Sequence, residues 1–320
     1  MGKYILKRVL LMILTLFVIC TMCFILIHLL PGSPIIRGIG VDPELQKMIK
    51  SADGEYDPIL LQYGRYLANI FRYGYFGLGT KIFINQDVLQ VILRKLPYSM
   101  LVNLYSILIA IPLGLGFGIY AALRKNKWQD HTISVLVVVF ISVPSFVYAF
   151  LVQYLLCFKL KLFPLRMYSV SEAPLMSFKM FTSMMPAILS LGFGTVAGLT
   201  RYTRAELSEV LTSDFMLLAR TKGLTKRQAT VRHAMKNAMV VILPMIIGEF
   251  IGILGGSYII EGVFGIPGIG ALYINAINAR DYNYFMAETL FYCLIGLTAQ
   301  IFVDISYGLI DPRIRMGSKK

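Results

Sequence analysis

Six apolar runs dominate this chain of 320 residues: 9–30, 98–123, 132–156, 184–200, 239–260 and 286–310. Each is close to the roughly 20 residues a helix needs to cross about 30 Å of hydrocarbon. In that medium no water satisfies the backbone, so such runs are confined to helices. The fourth is the weakest, being short and rich in Gly and Thr. Apolar residues make up 57% and charged residues 15%, against about 45–50% and 25% in soluble domains. This balance excludes a disordered chain, a basic nucleic-acid-binding domain and an ordinary water-soluble enzyme. The first run follows Lys3, Lys7 and Arg8 as a signal sequence would. It is too long for one, and Pro31-Gly32-Ser33-Pro34 is no cleavage site, so it reads as a retained helix.

Six spans place both termini on one side, and the positive-inside rule chooses it. With cytoplasmic termini, the segments 1–8, 124–131, 201–238 and 311–320 hold 18 Lys and Arg against 5 acids. The opposite segments, 31–97, 157–183 and 261–285, hold 13 against 9. The net charge of +14 is therefore almost all topological. The expected organisation is an N-terminal span (1–30), an extracytoplasmic segment (31–97), a core of spans (98–310) and a cytoplasmic tail (311–320). Within 31–97, the apolar spacing over 57–73 predicts an amphipathic helix ended by Gly74 and Gly77. A second short helix is expected over 85–95. Cys20, Cys23, Cys157 and Cys293 lie in or beside apolar runs and read as packed thiols; zinc would need further ligands.

The 201–238 loop is the most informative segment. Ser213 can cap a short helix over 214–222, with Asp214 in its first turn and Gly223 as a stop. Phe215, Leu218 and Ala219 share one face, with Arg220 and Lys222 elsewhere. Thr225 and Gln228 fit a capping box opening a second helix. The result is a compact basic knob, suited either to a protein partner or to anionic lipid.

The string Ser213-Asp214-Phe215-Met216-Leu217-Leu218-Ala219-Arg220-Thr221-Lys222-Gly223-Leu224, with Arg232-His233-Ala234-Met235-Lys236-Asn237-Ala238, resembles the EAA loop of ABC importer permeases. It is most similar to the oligopeptide and dipeptide branch. Ala219 and Gly223 match family positions, while Leu217 stands where the loop's naming Glu would be. His28-Leu29-Leu30-Pro31-Gly32-Ser33-Pro34, Ile111-Pro112-Leu113-Gly114, Val143-Pro144-Ser145-Phe146, the stretch from Glu261 to Gly270, and Asp311-Pro312-Arg313-Ile314-Arg315 extend the resemblance over nearly the whole chain. It implies an all-α type I ABC importer permease with six transmembrane helices, one of them an added N-terminal span, and a cytoplasmic coupling helix. It also implies a bacterial inner-membrane location, a homologous second permease and two cytoplasmic ATPases that bind ATP and Mg. An extracytoplasmic binding protein would deliver peptide. Nickel chelates, glutathione or a signalling peptide are alternative cargoes. An ion-coupled transporter would need inverted repeats and more buried charge.

Residues of the ATPase contact are then Asp214, Phe215, Leu218, Ala219, Arg220, Lys222, Gly223 and Leu224. Acids within spans are costly and mark pathways. Glu249 is placed about two turns into the fifth span from its cytoplasmic end, Glu288 near the outer end of the sixth and Asp304 near its inner end. Asp304 is read mainly as a structural partner. Asn103, Gln153 and Gln300 are further polar candidates. Glu261, Gly262, Pro267 and Gly268 fall in a Gly-rich outer loop read as a gate element or an ordinary turn. Gly194 and Gly198, like Gly248, Gly252 and Gly256, are spaced for close helix approach, within this chain or against a partner. No GxxxxGK[ST], GxSxG, HExxH or GxGxxG occurs, so neither a phosphate loop nor a hydrolase or metal motif is expected, and no cofactor or metal is assigned to this chain.

Overall fold

A computed structural model describes residues 2–29 and 57–310. The 31–34 motif and the 311–315 ending lie outside the described residues. Helix α1 (Gly2–Leu29) exposes most of its apolar surface. One stripe, Cys20, Cys23, Phe24 and Ile27, packs on Tyr282 and Met286 of the last helix, α12 (Tyr282–Ile310). Arg8 meets Asp304 at 3.1 Å at the other end of the pair, so α1 and α12 run antiparallel. Helix α2 (Ile59–Tyr73) ends at Gly74 with φ 61°. It leans on α1 through a Thr21–Tyr63 hydroxyl contact of 2.6 Å and a His28–Gln62 contact of 3.1 Å. All four cysteines are free thiols.

Helix α3 (Val88–Leu123) is 36 residues long and is capped by Asp87, whose carboxylate accepts the Gln90 N–H at 2.9 Å. The separate helix expected over 85–95 is therefore the first turns of α3. Pro97 sits inside it and does not end it. The third run is broken: α4 (Trp128–Ser142) and the helix from Ser145 to Lys159 meet at 101°. That second arm is α5 (Ser145–Val152) continued by a π-helical turn, Gln153–Lys159. Pro144 lacks an N–H and holds Val143 extended, which stops α4. The Tyr148 hydroxyl sits between the freed Phe140 and Val143 carbonyls.

The fourth run belongs to a 34-residue helix, α6 (Phe178–Leu211), that extends well into the expected loop. After it come α7 (Asp214–Thr221), α8 (Lys226–Ala229), a π-helical turn and α9 (Met235–Gly252). The fifth run was expected to reach 260, but the helix ends at Gly252. Glu249 thus lies in its last turn, far from the 201–238 end. Beyond it, α10 (Tyr258–Phe264) and α11 (Ile269–Ala279) meet at 100°.

Five uninterrupted apolar helices are long enough to cross a membrane. The first bent pair crosses once. It starts at the end where Asp130 meets Arg204, and the segment after it binds the opposite end through Met167 N–H to Phe264 O at 2.8 Å. The second bent pair joins the far end of α9 to the start of α12 and stays on one side. Six crossings result among the described residues.

α3 and α6 form the core contact. An added Cβ at Gly114 would lie 2.7 Å from Leu199 Cβ, and one at Gly118 2.5 Å from Thr203 Cβ. The Thr200 hydroxyl donates to Gly114 O at 3.2 Å across this seam. Gly116, between them, faces open space. Replacing Gly118 by Val should destabilise the chain by about 1–3 kcal/mol through overpacking. Gly116→Ala should be neutral or slightly stabilising. Thermal unfolding in detergent measures both; equal midpoints for the two variants would contradict the seam.

Candidate functional site

Two regions gather the sequence-predicted residues. At the basic end, α7 follows α6 after two residues. Ser213 has extended backbone, φ −77° and ψ 154°, as a cap requires, but its hydroxyl donates back to Val210 O at 2.6 Å and caps no first-turn amide. The capping box does form: Thr225 Oγ1 accepts the Gln228 N–H at 3.3 Å, and Gln228 Oε1 accepts the Thr225 N–H at 3.0 Å. Gly223 sits at φ +88°, which ends α7 and turns the chain towards α8.

The apolar face expected at Phe215, Leu218 and Ala219 divides between two environments. Met216 and Ala219 are buried against Leu207, Ala229, Ala234 and Ala238, whereas Phe215 and Leu218 are exposed. Residues 215–219 are all apolar, so spacing did not single out one stripe; packing chose the small Ala219 and the flexible Met216. The outward surface is then Phe215, Leu217 and Leu218, with Val231 exposed nearby. Asp214, Arg220 and Lys222 are exposed around it, and Leu224 is half-buried. Leu224, Val231, Arg227 and Arg232 line a cleft of about 590 Å³. Exposed apolar surface rimmed by charge marks a contact with a protein or a membrane.

At the opposite end, Glu261 is buried between α3 and α11. One carboxylate oxygen accepts the Ser99 hydroxyl at 2.7 Å, and the other accepts the Ala271 N–H at 2.9 Å. Ser99 Oγ in turn accepts the Ile269 N–H at 3.0 Å. The carboxylate thus caps the N-terminus of α11, where backbone amides and the helix dipole favour a negative charge. The glycines make room for it. A Cβ at Gly256 would lie 2.8 Å from Glu261 Oε1, and one at Gly268 2.5 Å from Oε2. Glu288 on α12 is also fully buried, and neither of its oxygens has a hydrogen-bond partner among the described residues. Gly262 and Pro267 are exposed at this end.

Of the other polar candidates, Asn103 and Gln153 hold backbone and Gln300 and Glu249 meet side chains. Asn103 donates to Ile253 O at 3.2 Å and also to Gly255 O, where α9 has unwound. Gln153 donates to Val263 O at 2.7 Å and Leu165 O at 3.1 Å. Gln300 donates to Asp304 at 3.3 Å, beside Arg8. Glu249 accepts from Thr195 at 3.4 Å. An added Cβ at Gly194, Gly198 or Gly252 would meet nothing within 4 Å among the described residues, one at Gly248 would lie 3.8 Å from Val303, and Gly256 is tightly packed.

Several residues escaped the sequence reading. Asp130 is buried against Arg204. Asp281, fully buried, accepts the Thr80, Lys81 and Ile82 amides at 2.7–3.0 Å and pins the loop before α3. Gly114 and Gly118 carry the close seam between α3 and α6. Each pairing joins distant segments, so only residue type was visible. On the exposed 160–177 loop, the Ser169 N–H holds the Glu172 carboxyl below the usual range.

Long apolar helices, two bent pairs and a seated amphipathic helix between α6 and α9 define a multi-pass membrane protein. The chain belongs to the family described as binding-protein-dependent transport system inner membrane component. That family's model matches residues 114–316, and the model of its N-terminal part matches 1–103. The dipeptide transport system permease protein DppB of Lactococcus lactis is 37% identical over 99% of this chain and 100% of its own. DppB of Bacillus subtilis is 35% identical over the full length of both. The oligopeptide transport system permease protein OppB of Escherichia coli is 33% identical over 98% of this chain and 100% of its own. Among solved structures, a chain of the MetNI methionine ABC transporter in an inward-facing conformation matches with a TM-score of 0.53. It is 17% identical and covers 70% of this chain and 97% of its own, which is a likeness of fold.

Glu261→Ala would leave the Ser99 hydroxyl and the Ala271 amide without an acceptor, at about 1–3 kcal/mol for each. Hydrogen exchange in detergent should speed up at residues 268–272 while α6 stays protected. Unchanged exchange there would remove Glu261 as the cap.

Proposed function

We propose that this chain is one permease half of an ATP-driven importer for dipeptides or oligopeptides. The observation that carries the reading is α7. It is anchored by Met216 and Ala219 on the ends of long spans and presents Phe215, Leu217 and Leu218 outward. The relatives' names supply the peptide cargo. In this reading the basic end is cytoplasmic, with both chain termini, and α7 fits a groove of an ATPase. A second permease of the same fold completes the path with its own helix on a second ATPase. ATP and Mg stay with those subunits, and this chain performs no covalent chemistry. A binding protein presents peptide at the end that holds the Glu261 cradle.

The energetics are differential. ATP must favour the closed ATPase pair over the open one, and the permeases convert that preference into a preference between two gate arrangements. Gly194, Gly198 and Gly252, uncovered within the chain, offer backbone-close surface to the second permease. The exposed turn with Gly262 and Pro267 lies where an outer gate would close.

The burial pattern of α7 decides which substitutions test docking. Leu218→Asp alters the outward face and should leave insertion intact while lowering ATPase co-isolation at least about tenfold. Ala219→Glu forces a charge under the helix and should unseat it, abolishing uptake. Gly223→Pro is incompatible with φ +88° and should also abolish uptake. Wild-type retention of ATPase by Leu218→Asp would sink the docking assignment. Cross-linking from a cysteine at Val263 to the second permease, in at least one nucleotide state, is the expected result for the gate.

A further inference from the structure

Asp130 and Arg204 form a buried fork at the basic end. The Asp130 side chain is fully buried and that of Arg204 is 31% exposed. One carboxylate oxygen accepts Arg204 Nε; the other accepts Arg204 Nη2 at 2.7 Å and the Asn126 N–H at 2.9 Å. One carboxylate therefore ties together the turn after α3, the first turn of α4 and the cytoplasm-proximal part of α6.

Position gives the fork its interest. Arg204 follows Thr203, which closes on Gly118, so α3, α4 and α6 are joined at one level. From there α6 runs unbroken to Leu211, and α7 starts three residues later. Leu207 of α6 packs in the same cluster as Met216 and Ala219. Displacing α7 must therefore displace α6. Helix α4 is different. Its only buried residues are Asp130 and Val137, so the fork is its main grip on the bundle at this end. α4 leads directly to the 101° break and α5. Stability alone is a weak reason for such a pair, because an apolar replacement of a buried ion pair is often neutral or stabilising.

We propose that Asp130 and Arg204 are positioning residues that make the bent α4–α5 span follow α6, so that movement of the coupling helix reaches the bent span. The proposal rests on the docking of ATPase at α7. Without the fork, α6 and α3 still move with α7, but the bent span lags, and ATP is hydrolysed with less transport.

The test uses the assembled importer, both permeases with their ATPases, in proteoliposomes. Peptide uptake and ATP hydrolysis are measured on the same preparation, with bound ATPase quantified. Asp130→Asn and Arg204→Gln are expected to keep the ATPases at wild-type stoichiometry and to lower peptide transported per ATP about three- to tenfold. Arg204→Lys keeps the charge but loses the fork, and should lower the ratio less; it carries the test if Arg204→Gln does not assemble. The exchange Asp130→Arg with Arg204→Asp should recover part of the ratio. An unchanged ratio in Arg204→Lys and Asp130→Asn overturns the proposal. So does a fall in uptake and hydrolysis together, in proportion to lost assembly, because that is the signature of a purely structural pair. Leu218→Asp, run in parallel, should lose the ATPases themselves. If it retains them, the docking reading fails, and this inference with it.

Discussion

Backbone groups that leave a helix inside hydrocarbon have no water to turn to, and this fold is organised around that constraint. Each place where a helix breaks has a polar side chain assigned to it. Tyr148 sits on the carbonyls freed at Pro144. Asn103 reaches the carbonyls beyond Gly252. Gln153 bridges to the turn between α10 and α11, and Glu261 caps the start of α11. Several of these polar residues read at first as lining for a pathway. In the structure they make irregular backbone tolerable, and that lets α10 and α11 fold back without crossing.

The same accounting separates two kinds of acid. Asp130, Glu261 and Asp281 each accept two or more hydrogen bonds and join segments far apart in sequence. Their burial is compensated by donors fixed in place. Glu288 is equally buried without such donors among the described residues. Glu249 has only a long contact to Thr195. These two remain the acids whose surroundings do not explain them as scaffolding.

Span number, the basic loop, the α2 helix, the Thr225 capping box and the turn at Gly223 were legible in sequence. Each rests on local spacing or on a residue type with one strong conformational use. The family was legible for a related reason, since its motifs are short and contiguous. What escaped depends on meetings between distant segments. The glycines of the fourth and fifth spans were read as sites of close approach within the chain or against a partner, whereas the seam at Gly114 and Gly118 was not read, because it depends on Leu199 and Thr203 facing them. That Ala219 turns inward with Met216 was not visible, because five successive apolar residues contain more than one stripe. The break after Gly252 was missed because apolar residues on both sides of Gly255-Gly256-Ser257 keep the mean hydropathy of 239–260 high, and hydropathy does not register an unwound turn.

Length gives α6 a further property. Its 34 residues measure about 51 Å at 1.5 Å per residue, against about 30 Å of hydrocarbon. It is a lever longer than the barrier it crosses. A tilt of about 10° about its midpoint sweeps each tip through roughly 4 Å, most of the helical pitch of about 5.4 Å. A modest rocking at the α7 end is thereby a displacement of atomic size among Met180, Met184, Phe264 and Ile266 at the other. The stiffness of one helix carries the motion from end to end.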